Sequence, residues 1–535
     1  MKIDNYVPGA TEGVAAQPVY DDIQGLMING YRGYNYIRFL IFTIPEANIP
    51  AVREFCGKLV PGTADSPLTI TPATRWHSQD ARPAYRLNIG LTKSGLMKLI
   101  TPPNYKTVYN KSYQLMARFG RAADPYSAAN PYGAAYPATA SSIGDTGPSD
   151  PSNWWQSEGW KLPNQTPANT SLDILFSLYA PTFEAREEWH EQLLKMIGDD
   201  SAVLAFIQDS DPLDDAGQQI QFGYRDGISQ PRIAGFSETD PELDDRPDVD
   251  SWRFIINLIA GNSSSPPTYS AHPLLDNGSF AAFRLLSQDV ESFEKFINQQ
   301  GASKAEFIAS KMCGRWRDGT PVEDSPAKPE NLHLLGESLK GEYELNNFNY
   351  VAPSAHQEPK PAPLGNPDNG QACPYAGHIR RANPRDDNSV TGNSNMANQH
   401  RILRRARPYG PPYDPANKAT IGQDRGLVGL FIGADLQNQF EFLMNTWIIN
   451  GHFSTNDGSP NNSGYDPLFG PPPAAASPST TEFSYCTGDP SNAADYETLQ
   501  GLTQLIVTKG GLYVFLPSIT ALGYLAKGDI PTHVV

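Results

Sequence analysis

One histidine of the chain follows small residues and precedes a group of basic ones. His378 comes directly after Ala376 and Gly377, which leave room for a flat ligand against the imidazole ring. Three arginines lie within the next seven positions, and arginine binds carboxylates through paired hydrogen bonds. A haem needs an axial imidazole and partners for its propionates, so this segment could bind one. A surface histidine in a basic loop would give the same pattern.

A second segment combines two glycines with an acid. Gly223 and Gly227 flank Asp226, and Pro231 ends the segment. Glycines in such positions allow a tight turn or the close approach of the backbone to a ligand. A turn capped by its own aspartate is the alternative interpretation.

Arginine is also concentrated between residues 401 and 407, where four of the seven residues are arginine. The chain as a whole is acidic, with 58 Asp and Glu against 41 Lys and Arg and a net charge of -17. A buried anionic site would account for this local density, and so would a network of salt bridges. The acidic balance argues against nucleic acid and anionic membranes as partners, because both carry negative charge.

Together these segments resemble the dye-decolourising peroxidase family. GYRDGISQP (223–231) matches the family's GxxDG signature, and CPYAGHIRRANPR (373–385) matches its proximal-histidine segment. RILRRARPYG (401–410) matches its distal-arginine segment. KMCGRW (311–316) and GYDPLFG (464–470) match two further segments of the family. All five segments occur along the chain in the family's order, so the resemblance covers most of the chain.

The resemblance implies a haem b peroxidase that uses H₂O₂ to oxidise dyes, phenols and similar small aromatic reductants in one-electron steps. It implies that His378 is the proximal iron ligand, that Asp226 is the distal acid–base residue and that Arg404 is the distal arginine. Asp466 matches the acid that hydrogen-bonds the proximal imidazole, although a turn-forming aspartate before Pro467 is the alternative. Because the pKa of a free aspartate is about 4, we expect turnover to be fastest below neutral pH.

Five more residues are candidate contacts of the haem. Arg380 and Arg381 are candidate partners of the propionates, and Ile228, Ser229 and Gln230 are candidate contacts of the porphyrin edge.

The wall of the distal pocket gives two alignments. The family often carries Leu and Phe in the strand that lines this pocket. Alignment on the QFEF run places Val428 and Gly429 there, whereas a shift of one or two residues places Leu430 and Ile432 there. A glycine in the wall would widen the peroxide channel. Ala406 stands where short bacterial members can carry a distal asparagine.

The resemblance also implies electron transfer from surface aromatic residues in some members. Trp447, Tyr375 and Tyr413 are candidates. Trp447 could instead be a core residue, because it continues the apolar face of a predicted helix that carries Leu436, Phe440 and Leu443. The sequence predicts neither the physiological reductant nor whether the protein is a monomer or a homo-oligomer.

Four strand-and-helix units must position these residues. Each unit is a short apolar strand followed by an amphipathic helix, and they begin near residues 36, 171, 279 and 427. Two units in each half predict a duplicated α+β scaffold with antiparallel sheets. The family's two ferredoxin-like domains, in a barrel-like α+β arrangement, agree with this prediction. We expect an N-terminal domain over 1–240, which ends with the GxxDG segment, and a haem-binding domain over 241–535.

Several features limit the function further. The four cysteines lack metal or disulfide spacing, so we expect reduced, buried thiols. The first residues lack the apolar core of a signal peptide and no run approaches about 18 apolar residues, which predicts a cytoplasmic protein. A haem carrier or a deferrochelatase on the same fold is the main alternative, and a carrier would need neither Asp226 nor Arg404. A non-haem binding or hydrolytic protein would be excluded by an intense Soret band.

Overall fold

The computed structural model describes most of the chain. It covers residues 19–74, 83–100, 140–165, 170–199, 201–236, 246–264, 272–325, 345–351, 370–387, 396–453, 464–470, 481–488 and 492–528. The start of the chain, on which the prediction of a cytoplasmic protein depends, lies outside these residues, and that location stays a prediction. Within the described ranges, no helix combines the length and the apolar character that crossing a membrane requires.

The first half of the chain folds as strand, helix, strand, strand, helix and strand, with one short extra helix. The elements are β1 (Tyr36–Thr43), α1 (Ile49–Lys58), β2 (Arg86–Leu91), α2 (Lys93–Leu99), β3 (Ile174–Ala180), α3 (Phe183–Ile197) and β4 (Val203–Ser210). The strands lie in the order β4-β1-β3-β2 and all pair antiparallel. This is the ferredoxin-like arrangement, in which each helix crosses over one neighbouring strand.

The second half repeats this arrangement. The elements are β5 (Ser279–Gln288), α4 (Val290–Ile297), α5 (Ala302–Cys313), α6 (His378–Ala382), α7 (Met396–Gln399), β6 (Leu403–Tyr409), β7 (Gly426–Gly433), two π-helical segments (Gln437–Glu441 and Leu443–Ile448), β8 (Glu482–Cys486), β9 (Tyr496–Gln500), β10 (Ile506–Leu516) and α8 (Ile519–Lys527). The strand order β10-β5-β7-β6 matches that of the first half position by position. The predicted duplicated α+β fold is therefore confirmed.

The two halves share one eight-stranded sheet. They join where Phe515 on β10 pairs with Leu91 on β2. The two edge strands, β4 and β6, also approach each other, because the Ser210 hydroxyl donates to the carbonyl of Pro408 at 2.6 Å. The sheet is thus barrel-like, with both edges in contact. Since one sheet runs through both halves, the domain boundary at 240/241 stays a prediction.

Two elements differ from their sequence patterns. The alternation between Leu172 and Leu178 predicts a half-buried strand, but every residue of β3 is buried. Both faces of β3 are covered, because Phe176 and Leu178 on one face and Leu175 and Tyr179 on the other all pack in the main hydrophobic core. The spacing from Leu436 to Trp447 predicts an α-helix, whereas the backbone forms two π-helical segments. Such segments are rare and often occur at functional sites.

The four cysteines agree with the sequence. Cys56, Cys313, Cys373 and Cys486 are all buried and all free of disulfide bonds. Burial raises the pKa of the Cys56 thiol to about 12, which keeps it protonated and unreactive.

Candidate active site

A large cavity separates the His378 segment from β6 and β7. Its empty space is about 1360 Å³, open mouth included. Its wall is mostly apolar, with side chains from the second ferredoxin-like unit and from the 220–229 segment that precedes it. Apolar lining residues include Phe222, Leu286, Phe431, Phe440, Met444 and Leu468. The charged or titratable ones are Tyr224, Arg225, Asp226, Arg284, Cys313, Arg315, His378 and Arg404.

His378 lies on one wall, as the first residue of α6. Its Nδ1 donates to Asp466 Oδ2 at 2.7 Å, and the Asp466 side chain is completely buried. The other oxygen of Asp466 accepts from the backbone amides of Leu468 at 2.9 Å and Phe469 at 3.3 Å. The carboxylate is therefore fixed, and it fixes the orientation and tautomer of the ring. His378 Nε2 forms no hydrogen bond with any described residue, which leaves it available to a ligand in the cavity.

The tight turn before His378 explains why Gly377 precedes it. A Cβ at this position would lie 3.0 Å from the carbonyl oxygen of Pro374 and 3.1 Å from Cys373 Sγ. The small residues before the histidine therefore serve the turn, and the cavity lies on the side of the ring away from Asp466.

Asp226 and Arg404 lie together on the distal side of the cavity. Arg404 Nη2 is 3.2 Å from Asp226 Oδ1, and the amide of Gly227 donates to the same oxygen at 2.7 Å. Asp226 Oδ2 accepts no hydrogen bond from a described residue. Gln230 clamps the backbone of Arg404, because its side chain accepts from the Arg404 amide at 3.1 Å and donates to the Arg404 carbonyl at 3.3 Å. Gln230 therefore positions Arg404 and does not line this cavity, whereas Ile228 and Ser229 do.

The surroundings of Asp226 favour its ionised form. Burial raises the pKa of Asp226, but the positive charge of Arg404 and the hydrogen bond from Gly227 lower it. Arg407 and His378 lower it further, and the net result is a pKa below the ordinary aspartate value. Asp226 thus stays a carboxylate in moderately acidic solution.

Arg380 and Arg381 do not line the cavity, which corrects their assignment as propionate partners. Both are fully buried behind His378. Arg380 donates twice to Asp387 Oδ2, at 3.0 and 2.6 Å, and once to the carbonyl of Cys373 at 2.8 Å. Arg381 donates to the backbone carbonyls of Trp447, Asn450 and Gly464. Each guanidinium therefore ties together the loops that hold the histidine.

Both alignments of the distal wall are also corrected. Val428, Leu430 and Ile432 are buried in the main hydrophobic core, on the face of β7 that points away from the cavity. Leu427 and Phe431 line the cavity instead. Side chains alternate along a strand, so a shift of one residue exchanges the two faces completely.

Gly429 lies on the same face of β7 as Leu427 and Phe431, which line the cavity, but it does not widen the cavity. A Cβ there would lie 2.3 Å from the Cα of Ala406 and 2.3 Å from the carbonyl oxygen of Arg405. The backbone of β6 thus occupies the space that a side chain would need. The glycine allows β6 and β7 to approach closely at the pair Ala406–Gly429.

Two arginines to which the sequence analysis gave no role have unmet hydrogen-bonding capacity here. Arg315 is buried in the cavity wall, and its Nη2 has no hydrogen-bond partner although Nη1 donates to two carbonyls. Arg401 forms one long contact, from Nη2 to the Ser229 carbonyl at 3.5 Å. Burial lowers the pKa of Arg401 well below its ordinary value, and Arg385 and other nearby arginines lower it further. An anion would satisfy both groups. The signals were the arginine within the KMCGRW segment and the arginine density at 401–407.

The 122–170 stretch, unassigned from the sequence, supports the cavity wall through its described part. Arg284 lines the cavity and forms a buried ion pair with Asp145, whose Oδ2 accepts from Nη1 at 2.8 Å. Trp155 stacks on Phe283 with ring centroids 6.3 Å apart. This stretch therefore packs against the strand that carries Arg284.

The aromatic candidates for electron transfer lie mostly inside the protein. Trp447 is 3 % exposed and Tyr375 is 2 % exposed, and they share an apolar cluster with Leu443 and Phe453. Tyr413 is only partly buried. The core interpretation of Trp447 therefore fits its position, and neither Trp447 nor Tyr375 offers a surface contact to a bulky dye.

Comparison with known proteins agrees with this geometry, although no family model matches the chain. Peroxidase 2 of Mycetinis scorodonius is 28% identical over 394 residues, which is 72% of this chain and 69% of that protein. A dye-decolorizing peroxidase of Mycena epipterygia is 32% identical over 326 residues, 57% of each. The crystal structure of a DyP-type peroxidase from Auricularia auricula-judae aligns with a TM-score of 0.69 and 25% identity, and covers 96% of this chain and 100% of that one. Over most of its length the chain is therefore similar, in sequence and in fold, to dye-decolourising, or DyP-type, peroxidases.

Proposed function

We propose that this chain is a haem b peroxidase that uses H₂O₂ to oxidise dyes, phenols and similar aromatic reductants. One observation carries the proposal, namely two unlike walls that face each other across an apolar cavity. An imidazole fixed by Asp466 lies on one wall, and the Asp226–Arg404 pair lies on the other. On one side this arrangement offers an imidazole that would hold the haem iron, and on the other it offers proton-transfer groups.

The residues present fit a haem in this cavity. His378 Nε2 would bind the iron, because Nδ1 is already bonded to Asp466. The unpaired Nη2 of Arg315, in the cavity wall, would bind a propionate, whereas Arg380 and Arg381 do not line the cavity. A solved relative is described as a dye-decolorizing peroxidase with a heme pocket.

Asp466 adjusts the electron density of the proximal ligand. A carboxylate that accepts the Nδ1 proton makes the imidazole more basic, and a more basic ligand favours oxidised iron. When bound, the haem supplies the redox chemistry with peroxide. The contribution of the chain on this side is a fixed ring and a fixed charge.

Asp226 and Arg404 handle the protons and charge of the peroxide. Asp226 Oδ1 is held by Gly227 and Arg404, so Oδ2 is the oxygen that accepts a proton from H₂O₂ and returns it to the departing oxygen. The Arg404 guanidinium stabilises the negative charge that develops while the O–O bond breaks. Since the pKa of Asp226 is lowered, this base works in acidic solution, which supports an acidic optimum.

The Asp226–Arg404 pair also favours a peroxidase over a haem carrier or a deferrochelatase. A carrier gains nothing from a charged acid–base pair above the ligand, because the pair costs desolvation energy. The structure maintains this pair with dedicated contacts from Gln230 and Gly227.

Haem reconstitution followed by peroxide tests the proposal. The purified chain, loaded with haemin, should show an intense Soret band. His378→Ala should lose stable haem binding, whereas His190→Ala, on the distant helix α3, should bind haem like the wild type. If the purified chain does not bind haemin and shows no Soret band, the proposed function is excluded.

The distal pair is tested separately. Asp226→Asn and Arg404→Leu should each retain haem but slow the reaction with H₂O₂ by roughly 10²–10⁴-fold, the usual contribution of acid–base catalysis. Stopped-flow absorbance gives this rate directly. If both variants react at the wild-type rate, the roles assigned to Asp226 and Arg404 are wrong.

A further inference from the structure

A second cavity lies behind the distal pair, on the side away from the main cavity. We call it the distal vestibule, and its empty space, open mouth included, is about 870 Å³. Its wall includes Arg32, Tyr179, Asp226, Arg404, Arg405 and Arg407. Asp226 and Arg404 line both cavities, so they form the partition between them. A molecule in the vestibule therefore lies next to the groups that handle the peroxide.

The vestibule is positive in a chain that is negative overall. Among the described residues, four arginines line it against a single carboxylate, that of Asp226, while the whole chain has a net charge of -17. Arg404 already pairs with this carboxylate. Arg405 and Arg407 have no acidic partner among the described residues.

The hydrogen-bonding state of these two arginines indicates room for an anion. Arg405 donates from Nε to the Leu26 carbonyl at 2.8 Å and from Nη1 to the Arg404 carbonyl at 3.0 Å, which leaves Nη2 without a bond to any described residue. Arg407 Nε is buried without a partner, and its Nη2 makes only a long contact of 3.5 Å with the Gly30 carbonyl. Burial lowers the pKa of Arg405 to about 10, and a bound anion would relieve this cost.

We propose that the distal vestibule binds the carboxylate of a small aromatic acid, with Arg407 as the main contact. Arginine binds carboxylates in a planar, two-bonded geometry, and Tyr179 offers an aromatic neighbour to the ring of the ligand. The empty space of the vestibule, about 870 Å³ against about 1360 Å³ for the main cavity, admits a single-ring acid.

Such acids would be reductants only if the proposed peroxidase function holds, whereas their binding does not rest on it. A phenol that is oxidised gives up one electron and its hydroxyl proton. H₂O₂ accepts two electrons and two protons to become two waters, so two phenols are consumed for each peroxide. Carboxylate-bearing phenols would thus be preferred over their neutral analogues.

Calorimetric titration of the haem-loaded chain with benzoate tests the binding, because benzoate carries the carboxylate but lacks an oxidisable hydroxyl. Wild type should bind benzoate more tightly than benzamide. Arg407→Gln should weaken benzoate binding by about 10- to 100-fold, the loss expected for a hydrogen bond to a charged group, and Arg407→Lys should lose less. Lys195→Gln removes one exposed positive charge on α3 and should change nothing. Absence of benzoate binding, or equal binding by Arg407→Gln and wild type, overturns the proposal.

A kinetic comparison tests the substrate class and separates the two proposals. The readout is the ratio of KM for 4-hydroxybenzamide to KM for 4-hydroxybenzoate in peroxide-driven oxidation. Wild type should give a ratio above one, and Arg407→Gln should bring it towards one. A ratio that Arg407→Gln leaves unchanged refutes the selection of acids. If benzoate binding depends on Arg407 but neither phenol is oxidised, the peroxidase proposal fails and the anion site stands.

Discussion

Replacing Asp466 by asparagine should make the haem-loaded protein easier to reduce. Asp466 is 0 % exposed and accepts the Nδ1 proton of His378 at 2.7 Å, so solvent does not screen the interaction. Asparagine has nearly the same shape but carries no charge. The proximal imidazole then loses basicity, and oxidised iron loses stabilisation relative to reduced iron.

The size of the shift follows from the difference between charged and neutral hydrogen bonds. A hydrogen bond to a charged group contributes about 1.5–3 kcal/mol, and a neutral one about 0.5–1.5 kcal/mol. Their difference is about 1.4 kcal/mol, or tenfold in an equilibrium constant, which corresponds to about 59 mV for a one-electron couple. We expect the midpoint potential of Asp466→Asn to lie about 60 mV above that of the wild type.

Spectroelectrochemical titration of the Soret band measures this potential. Asp387→Asn is the matched control, because Asp387 is equally buried and bonds Arg380 in the same loop but not His378. That variant should lose stability without a comparable change in potential. An unchanged or lower potential in Asp466→Asn, or an equal rise in Asp387→Asn, would refute the reasoning.

Three further predictions concern the distal side and the strand beneath it. Arg404→Gln removes the main charge that lowers the pKa of Asp226, so the acid limb of kcat/KM for H₂O₂ should move to higher pH, as measured across a pH series. Gly429→Ala forces a Cβ into the backbone of β6 and should cost about 1–3 kcal/mol in chemical denaturation, whereas Gly523→Ala, in open space on α8, should cost nothing. Arg315→Gln should weaken haem binding about tenfold in a haem-transfer assay, because it removes an unpaired donor in the cavity. The first prediction is contradicted if the acid limb does not shift, and the second if Gly429→Ala unfolds at the same denaturant concentration as the wild type. The third is contradicted if Arg315→Gln transfers haem at the wild-type rate.

Much of the scaffold could be predicted because apolar spacing follows the period of each element. The run at 36–44 becomes β1 (Tyr36–Thr43), and Val52, Phe55 and Cys56 are the buried residues of α1. The resemblance of the motifs also predicts contacts between residues that are far apart in sequence. His378 and Asp466, which are 88 positions apart, lie within one hydrogen bond of each other.

The distal wall could not be predicted because strand parity depends on pairing partners. β7 pairs with β5 on one side and β6 on the other, with Arg404 opposite Phe431. That register, which tertiary structure sets, places Phe431 at the cavity and Leu430 in the core. An alignment that is one residue out selects the wrong face throughout.

For the arginines, too, the sequence indicates a kind of interaction but not which side chain makes it. Their density near His378 and Arg404 indicates anionic partners, but among the described residues only Arg380 and Arg404 meet a carboxylate, at Asp387 and Asp226. Which anion each one meets depends on the fold, since Arg380 finds Asp387 and backbone carbonyls while Arg315 keeps a free donor in the cavity. A local sequence pattern contains no information on which guanidinium the chain itself satisfies.

The two aspartates of the site differ in one physical respect that supports the roles proposed for them. Asp466 is completely buried, accepts bonds from His378 and two backbone amides, and has no route to solvent. Asp226 is 27 % exposed in its side chain and lies between the main cavity and the distal vestibule. A group that must exchange protons with peroxide needs such an opening, whereas a group that only orients a ligand works best without one. Environment thus separates two residues of the same type into a fixed charge and a proton carrier.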